Sequence, residues 1–298
     1  MNNIRNTLIA ALLLCAAAAT PAQEVIRLWD GLSKPYYKEN SLREREVTVW
    51  GTLTVTDITE PTITLYRAQG RNSGAAVLII PGGNYEVVAI HHEGYDVARV
   101  LSRQGITAAV LKYRLPSTRS SDQPGKVPLS DARRALKIMH QQAGSYGINP
   151  GKIGIMGFSA GGHLAAVSTL WKSADPEENV NFSAFVYGVT NDSVENMKWL
   201  ADSLYYRPLT GEEKTNNRLL NLVTRDTPPA FLVHALDDQT CPPEESTFYF
   251  QKLQALKVPV EMHLFPRGGH GFGLGHSEDG TDQWVNLFIN WVGRLQRK

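Results

Sequence analysis

The pentapeptide Gly157-Phe158-Ser159-Ala160-Gly161 has the spacing G-x-S-x-G, between an apolar run at residues 153–156 and a helical pattern at 160–171. A nucleophile on so sharp a strand-to-helix turn needs small neighbours, because the strained backbone brings other chain close. The turn also sets the Ser159 hydroxyl at a helix N-terminus, where partial positive charge favours a developing oxyanion. A serine hydroxyl is a weak nucleophile until a base takes its proton. The serine should therefore be followed by an acid and then a histidine, each after a late strand. The acid falls in His234-Ala235-Leu236-Asp237-Asp238, directly after the expected strand FLV, and the base in Arg267-Gly268-Gly269-His270-Gly271-Phe272, directly after the expected strand VEMHLF. Asp238 is the preferred acid and Asp237 its rival. His270 is preferred to His276, which lies further from the strand end, because flanking glycines let His270 turn inward.

Acyl transfer also needs two amides aimed at the oxyanion. One is expected on Ala160, after the nucleophile. The other is expected in Pro81-Gly82-Gly83-Asn84-Tyr85, which follows the apolar run 75–80. Gly83 and Asn84 are its donors, beside an aromatic, Tyr85, which with Trp199 and Tyr205 is a candidate substrate contact. Other histidines take plainer roles: His263 packs or faces solvent within a strand, and His163 makes structural hydrogen bonds on the helix after the serine. His91, His92 and Glu93 have metal-ligand chemistry, but adjacent side chains converge poorly, and packing near the site or at the surface is expected. No metal or cofactor is required.

The elements that must hold these residues alternate. Strands are expected at 47–50, 52–56, 62–67, 75–80, 106–111, 153–156, 182–187, 230–233 and 260–265. Helices are expected at 95–104, 129–146, 160–171, 244–256 and 282–296. The later apolar runs suit strands buried on both faces, so the fold class is α/β: a doubly wound, mainly parallel sheet with helices on both faces. Residues 24–73 read as an entry segment followed by the first three of these strands. Between Thr190 and Pro229 no period is evident, and an irregular insertion over the carboxyl edge of the sheet is expected. Its Trp199, Tyr205 and Tyr206 offer flat rings that serve equally for packing and for sugar faces.

Residues 1–22 read as a secretory signal peptide: Arg5, the apolar run LIAALLLCAAAA and a small-residue cleavage zone ending at Ala22. The run is too short to span a bilayer. Leu14 before Cys15 suits a lipidated cysteine poorly, so secretion or periplasmic residence is expected, with residues 23–298 forming one domain. The 298-residue chain has 30 basic and 29 acidic residues, and removal of Arg5 with the leader leaves these balanced. No basic cluster invites nucleic acid or an anionic membrane. Cys241 is then the remaining cysteine, which excludes an intramolecular disulfide. Oligomeric state is not legible.

At these residues the chain resembles the α/β-hydrolase esterases of carbohydrate-degrading bacteria, the acetyl-xylan esterase-like family. The resemblance is carried by DITEPTITLY, AVLIIPGGNYEVVAIHHEGYDVA, VLKYRLP, PLSDARRALKIM, IGIMGFSAGGHLAA, DTPPAFLVHALDDQTCP and FPRGGHGFGL. It covers nearly all of the chain after the leader, and GFSAGGH and GGHGFGL are its most specific parts. It implies the α/β-hydrolase fold, a triad of Ser159, Asp238 and His270, and oxyanion donors at Gly83 or Asn84 and at Ala160. It also implies a secreted serine esterase acting on acetyl groups of plant polysaccharide such as xylan, or on its acetylated oligosaccharides or another small ester. Two departures stand out. Asn84 replaces the usual third glycine, which alters the oxyanion hole or places an amide side chain near substrate. Cys241 replaces a valine of similar volume. The rivals with the same triad are a general carboxylesterase or lipase, and a peptidase. A non-catalytic binding module is the rival of another class.

Overall fold

The computed structural model describes residues 23–295; the leader expected over residues 1–22 lies outside the described residues. The chain opens with β1 (Glu24–Arg27), β2 (Arg45–Val49), β3 (Thr52–Thr56), β4 (Thr62–Tyr66) and β5 (Ala76–Ile80). A π-helical turn at His91–Tyr95 leads into α1 (Asp96–Arg103), followed by β6 (Thr107–Lys112), α2 (Val127–Gln141) and α3 (Ala143–Tyr146). Next come β7 (Ile153–Phe158), α4 (Ser159–Leu170), β8 (Phe182–Val186), α5 (Val194–Trp199), α6 (Gly211–Asn216) and α7 (Leu219–Leu222). The described chain closes with β9 (Ala230–Ala235), α8 (Glu244–Ala255), β10 (Val260–Phe265) and α9 (Trp284–Leu295).

Eight strands form one sheet in the order β1-β4-β6-β5-β7-β8-β9-β10. From β6 to β10 the pairs are parallel, whereas β1 and β4 pair antiparallel at one edge. This is the α/β-hydrolase arrangement expected. Every residue of β5, β7, β8 and β9 is buried, and successive side chains point to opposite faces, so both faces of the sheet centre are covered. In α2 the buried residues Ala132, Ala135, Leu136 and Met139 recur at helical spacing. The chain leaves β5 toward β6 and leaves β7 toward β8. The strand order therefore reverses between β5 and β7, opening the crevice where such sheets hold ligands.

Three expectations need correction. Residues 24–27, taken as an entry segment, are an edge strand; three of its four residues, Glu24, Val25 and Arg27, are exposed, so it carries no buried-strand signature. The strand expected at 47–50 stops at Val49, which leaves Trp50 in the turn of a separate antiparallel ribbon formed by β2 and β3. The segment 190–229 is helical over much of its length: α5, a π-helical stretch at Leu200–Tyr205, α6 and α7, with Leu200, Leu204, Leu209, Leu219 and Val223 buried. Helices of four to six residues are too short for an apolar period to repeat. Full burial of each leucine is worth roughly 1.5–3 kcal/mol, so the segment is held by packing as well as by the caps at Ser193 and Thr210.

Candidate active site

Ser159 opens α4 directly after β7, with φ 50°. That left-handed conformation is costly for a serine and persists because its surroundings over-determine it. Gly161 shows how: a Cβ there would stand 2.2 Å from Ile80 O and 2.5 Å from Pro81 O, so only glycine lets the elbow press against the β5 loop. The turn presents Oγ to His270 Nε2 at 2.8 Å, and His270 Nδ1 lies 2.7 Å from Asp238 Oδ2. With the proton on Nδ1, Nε2 is free to accept from the serine hydroxyl. The structure thus brings together the three residues expected from sequence.

Asp238 is 3 % exposed, and its other oxygen, Oδ1, accepts the Thr240 and Cys241 N–H groups, both at 2.9 Å. Burial pushes its pKa up, but hydrogen bonds from His234, His270 and the Cys241 amide outweigh that and hold the carboxyl well below the usual range. His234, given no role in the sequence reading, approaches Asp238 Oδ2 at 3.3 Å while donating from Nε2 to Cys241 O at 2.8 Å. The rival Asp237 is exposed and accepts the Gly269 N–H at 2.8 Å, which steadies the loop carrying His270. His263 lies in β10 against Glu261, and the His276 N–H donates to Thr281 Oγ1.

The β5 loop supplies unused donors. The Gly82 N–H is taken by Glu93 Oε2 at 2.7 Å, but those of Gly83 and Asn84 donate to no group among the described residues. The Ala160 N–H, in the first turn of α4, has no intrahelical partner. Gly83 has φ 125°, and a Cβ there would meet Val87 O at 2.2 Å, so the loop's shape requires that glycine. Ser159, Ala160, Gly83, Asn84 and His270 all line one cavity of about 650 Å³.

The sequence reading gave Glu93 no specific part. The π-helical turn buries its carboxylate beneath the cavity, where Oε1 accepts the Tyr187 hydroxyl at 3.0 Å. Tyr187 in turn accepts the Gly273 N–H at 2.9 Å and sets its ring edge-on to His270, 5.0 Å between centroids. Burial, with Glu93 beside it, pushes the Tyr187 pKa well up, so this hydroxyl stays neutral. Glu93 therefore links the oxyanion-side loop to the histidine loop. The consecutive HHE in the sequence gave no spacing signal, because a π-turn is not a period one reads from apolar residues.

Among the aromatics, Trp199 lines the cavity, with Nε1 donating to Asn84 Oδ1 at 2.6 Å. Asn84 Nδ2 donates to Glu86 Oε1 at 2.8 Å, so the departure from glycine gives Trp199 a fixed anchor. Tyr85, expected at the substrate, is instead 1 % exposed: it stacks beneath Trp199 (5.5 Å, 23°) and its hydroxyl bonds His163 Nδ1 at 2.9 Å. Tyr205 is likewise displaced from the expected role. Its hydroxyl accepts from Asn217 Nδ2 at 3.0 Å, and with Tyr206 it lines a separate cleft of about 280 Å³. Asn196 reaches the serine cavity held by Glu245 Oε1 at 2.6 Å, while Oε2 of the same buried carboxylate accepts the Thr190 and Asn191 N–H groups.

Residues 118–297 match the prolyl oligopeptidase family. The chain belongs to that family. The elbow, the acid loop and the histidine loop all fall inside the matched residues. Beyond the family match, the chain is 34 % identical over 229 residues to an acetylxylan esterase of Xylanibacter ruminicola, covering 74 % of this chain and 45 % of that protein. It is 32 % identical over 227 residues to endo-1,4-beta-xylanase B of Butyrivibrio fibrisolvens, covering 73 % of this chain and 34 % of that protein. The chain thus spans less than half the length of these two curated relatives. A solved structure, an acetyl ester-xyloside bifunctional hydrolase from Caldicellulosiruptor lactoaceticus, superposes with a TM-score of 0.75 at 27 % identity, covering 94 % of this chain and 98 % of that one.

Proposed function

We propose that this protein is a serine esterase that removes short acyl groups, chiefly acetyl, from plant polysaccharide such as xylan or from its oligosaccharides. The observation that carries the reading is the hydrogen-bonded line from Ser159 Oγ through His270 to Asp238, facing a cavity with unused amides at Gly83, Asn84 and Ala160. The chemistry follows from those contacts. His270 Nε2 takes the Ser159 proton as Oγ attacks the acyl carbon. Asp238 holds the proton on Nδ1 and stabilises the imidazolium, and the amides take up the oxyanion charge. His270 then returns the proton to the departing sugar oxygen, leaving an acyl-enzyme that water opens by the same steps.

The choice of acetyl and of sugar rests on the likeness to an acetylxylan esterase and an acetyl ester-xyloside hydrolase. Incubation with defined acetylated xylo-oligosaccharides should release acetate, and acetate esters should be cleaved much better than octanoate esters. A preference for octanoate, with no acetate from the oligosaccharides, would replace the reading with a lipase or general carboxylesterase. Chromogenic amides run beside the esters test the peptidase that the family name allows; faster amide than ester turnover would favour it. We also propose export, with residues 1–22 as the leader. N-terminal sequencing of exported protein should begin near Gln23, and recovery of the protein with Met1 inside the cell would overturn it.

A further inference from the structure

The ribbon β2–β3 turns through Trp50 and Gly51, since Val49 pairs with Thr52. Both turn residues have positive φ, 52° and 74°. A two-residue hairpin of that kind favours Asn-Gly or Gly-Gly; a bulky tryptophan in the first position is strained. Packing does not compensate for the strain, because Trp50 is 69 % exposed. Yet Trp50 lines the same cavity as Ser159, together with Thr52 and Thr54 of its own ribbon. An exposed, strained, flat side chain at the rim of a reactive cavity has the properties of a ligand contact rather than of a folding element.

The ribbon is also moored to the oxyanion side. Val55 and Val88 exchange backbone hydrogen bonds of 3.0 and 2.8 Å, and Thr56 Oγ1 donates to Glu86 O at 3.0 Å. Residues 86–88 directly follow the loop bearing Gly83 and Asn84, so the indole is held in register with the amides that face the acyl oxygen. Trp199 stands in the same cavity, fixed by Asn84 and Tyr85, with Glu195 and Asn196 beside it.

We propose that Trp50 and Trp199 form a platform for the pyranose rings of the ester's alcohol half, with Glu195 and Asn196 meeting sugar hydroxyls. The sugar class rests on the esterase reading above; the position of the platform does not. Aromatic faces take the C–H faces of pyranoses, and the polar pair at α5 suits hydroxyls better than a long acyl chain.

The test uses unacetylated xylotetraose as a competitive inhibitor of ethyl acetate hydrolysis by the full-length protein, its Trp50→Ala variant and its Trp50→Phe variant. Trp50→Ala should weaken inhibition roughly tenfold, as expected for loss of one stacked ring, and Trp50→Phe should recover much of it. In parallel, the ratio of kcat/KM for acetylated xylotetraose to that for ethyl acetate should fall in Trp50→Ala. Absence of inhibition in the unaltered protein, or equal inhibition in Trp50→Ala, overturns the platform. Failure of the unaltered protein to release acetate from acetylated xylotetraose overturns the esterase reading instead, and the inhibition constants still decide the platform.

Discussion

The floor of the cavity stands on strand ends, whereas its outer wall is held to them by side-chain and ribbon contacts. Ser159, Asp238 and His270 follow β7, β9 and β10 within a few residues, and their turns are pinned by glycines and buried hydrogen bonds. Trp50 and Trp199 belong instead to a separate ribbon and a six-residue helix, fixed through Asn84, Tyr85, Glu86 and Val88. Bond-making chemistry loses orders of magnitude for an ångström of misplacement, so it is built where the sheet is stiffest. A recognition surface tolerates more movement and can be carried by outlying pieces. Substitutions in the floor should therefore remove turnover on every ester, whereas those in the wall should change which ester is preferred.

The sharpest break of that comparison is Ser159→Ala. Turnover of ethyl acetate should fall on the order of 10⁶-fold, by analogy with the nucleophile of a serine protease, with the fold intact. Stopped-time acetate assays beside thermal melts check it. A folded variant with near-normal turnover would remove Ser159 from the chemistry.

Next in size is the pair of adjacent acids. Asp238→Asn should cost about 10⁴-fold in kcat, the figure known for the orienting acid of a protease triad, because Asn cannot stabilise the imidazolium. Asp237→Asn keeps an acceptor for the Gly269 N–H and should cost less than about tenfold, a change of about 1.4 kcal/mol or less. The reverse ranking in a kcat comparison would move the role to Asp237. The depressed pKa of Asp238 carries a sign: its stabilisation is present above the ordinary aspartate pKa and is lost only as pH falls through the lower folded value. It therefore remains a carboxylate through mildly acid pH.

The same contrast explains what the sequence could disclose. The triad and its loops are legible because each is a fixed residue type after a strand, a buried apolar one for Ser159 and Asp238 and the half-buried VEMHLF for His270, a pattern both local and chemical. The sheet centre was legible for the same reason: AVLII and AFLVHA have few alternatives to a buried strand. The wall was not. Trp50 sits between two ordinary β-branched runs, and only the three-dimensional path of the ribbon brings it to Ser159. Tyr85 and Tyr205 were misplaced because aromatic type does not distinguish a ring facing a ligand from one facing a helix. Glu93 was missed because its partners, Gly82 and Tyr187, lie on other elements, and nothing in HHE names them.

His163 joins floor to wall, since it lies on α4 four residues after the nucleophile, accepts from Tyr85 and stands edge-on to Trp199 at 5.6 Å. Burial pushes its pKa down to about 4 from the model-peptide value of 6.5. The folded state thus prefers the neutral ring. Its stabilisation is complete above the unfolded value and is lost as pH falls from about 6.5 toward about 4, up to about 3 kcal/mol. Urea unfolding at pH 7 and pH 4.5 should show a steeper loss in the unaltered protein than in His163→Gln, which has no proton to bind there. Parallel losses would show that the aromatic layer beneath Trp199 is insensitive to His163.

The smallest effect is expected at Cys241, which lies in the cavity with its thiol beside Ser159. Burial pushes the thiol's pKa up, with Asp238 and Glu245 adding to the effect, so the nucleophilic thiolate is scarce at neutral pH. What the position contributes is backbone: its N–H donates to Asp238 Oδ1 at 2.9 Å, and its carbonyl accepts from His234 at 2.8 Å. Valine offers the same two backbone groups in a similar volume. Cys241→Val should therefore keep kcat/KM within about threefold, less than 1 kcal/mol in the barrier. Iodoacetamide should inactivate the unaltered protein slowly at pH 7. A large fall in Cys241→Val, or rapid alkylation with loss of turnover, would mean that the thiol itself takes part in the floor.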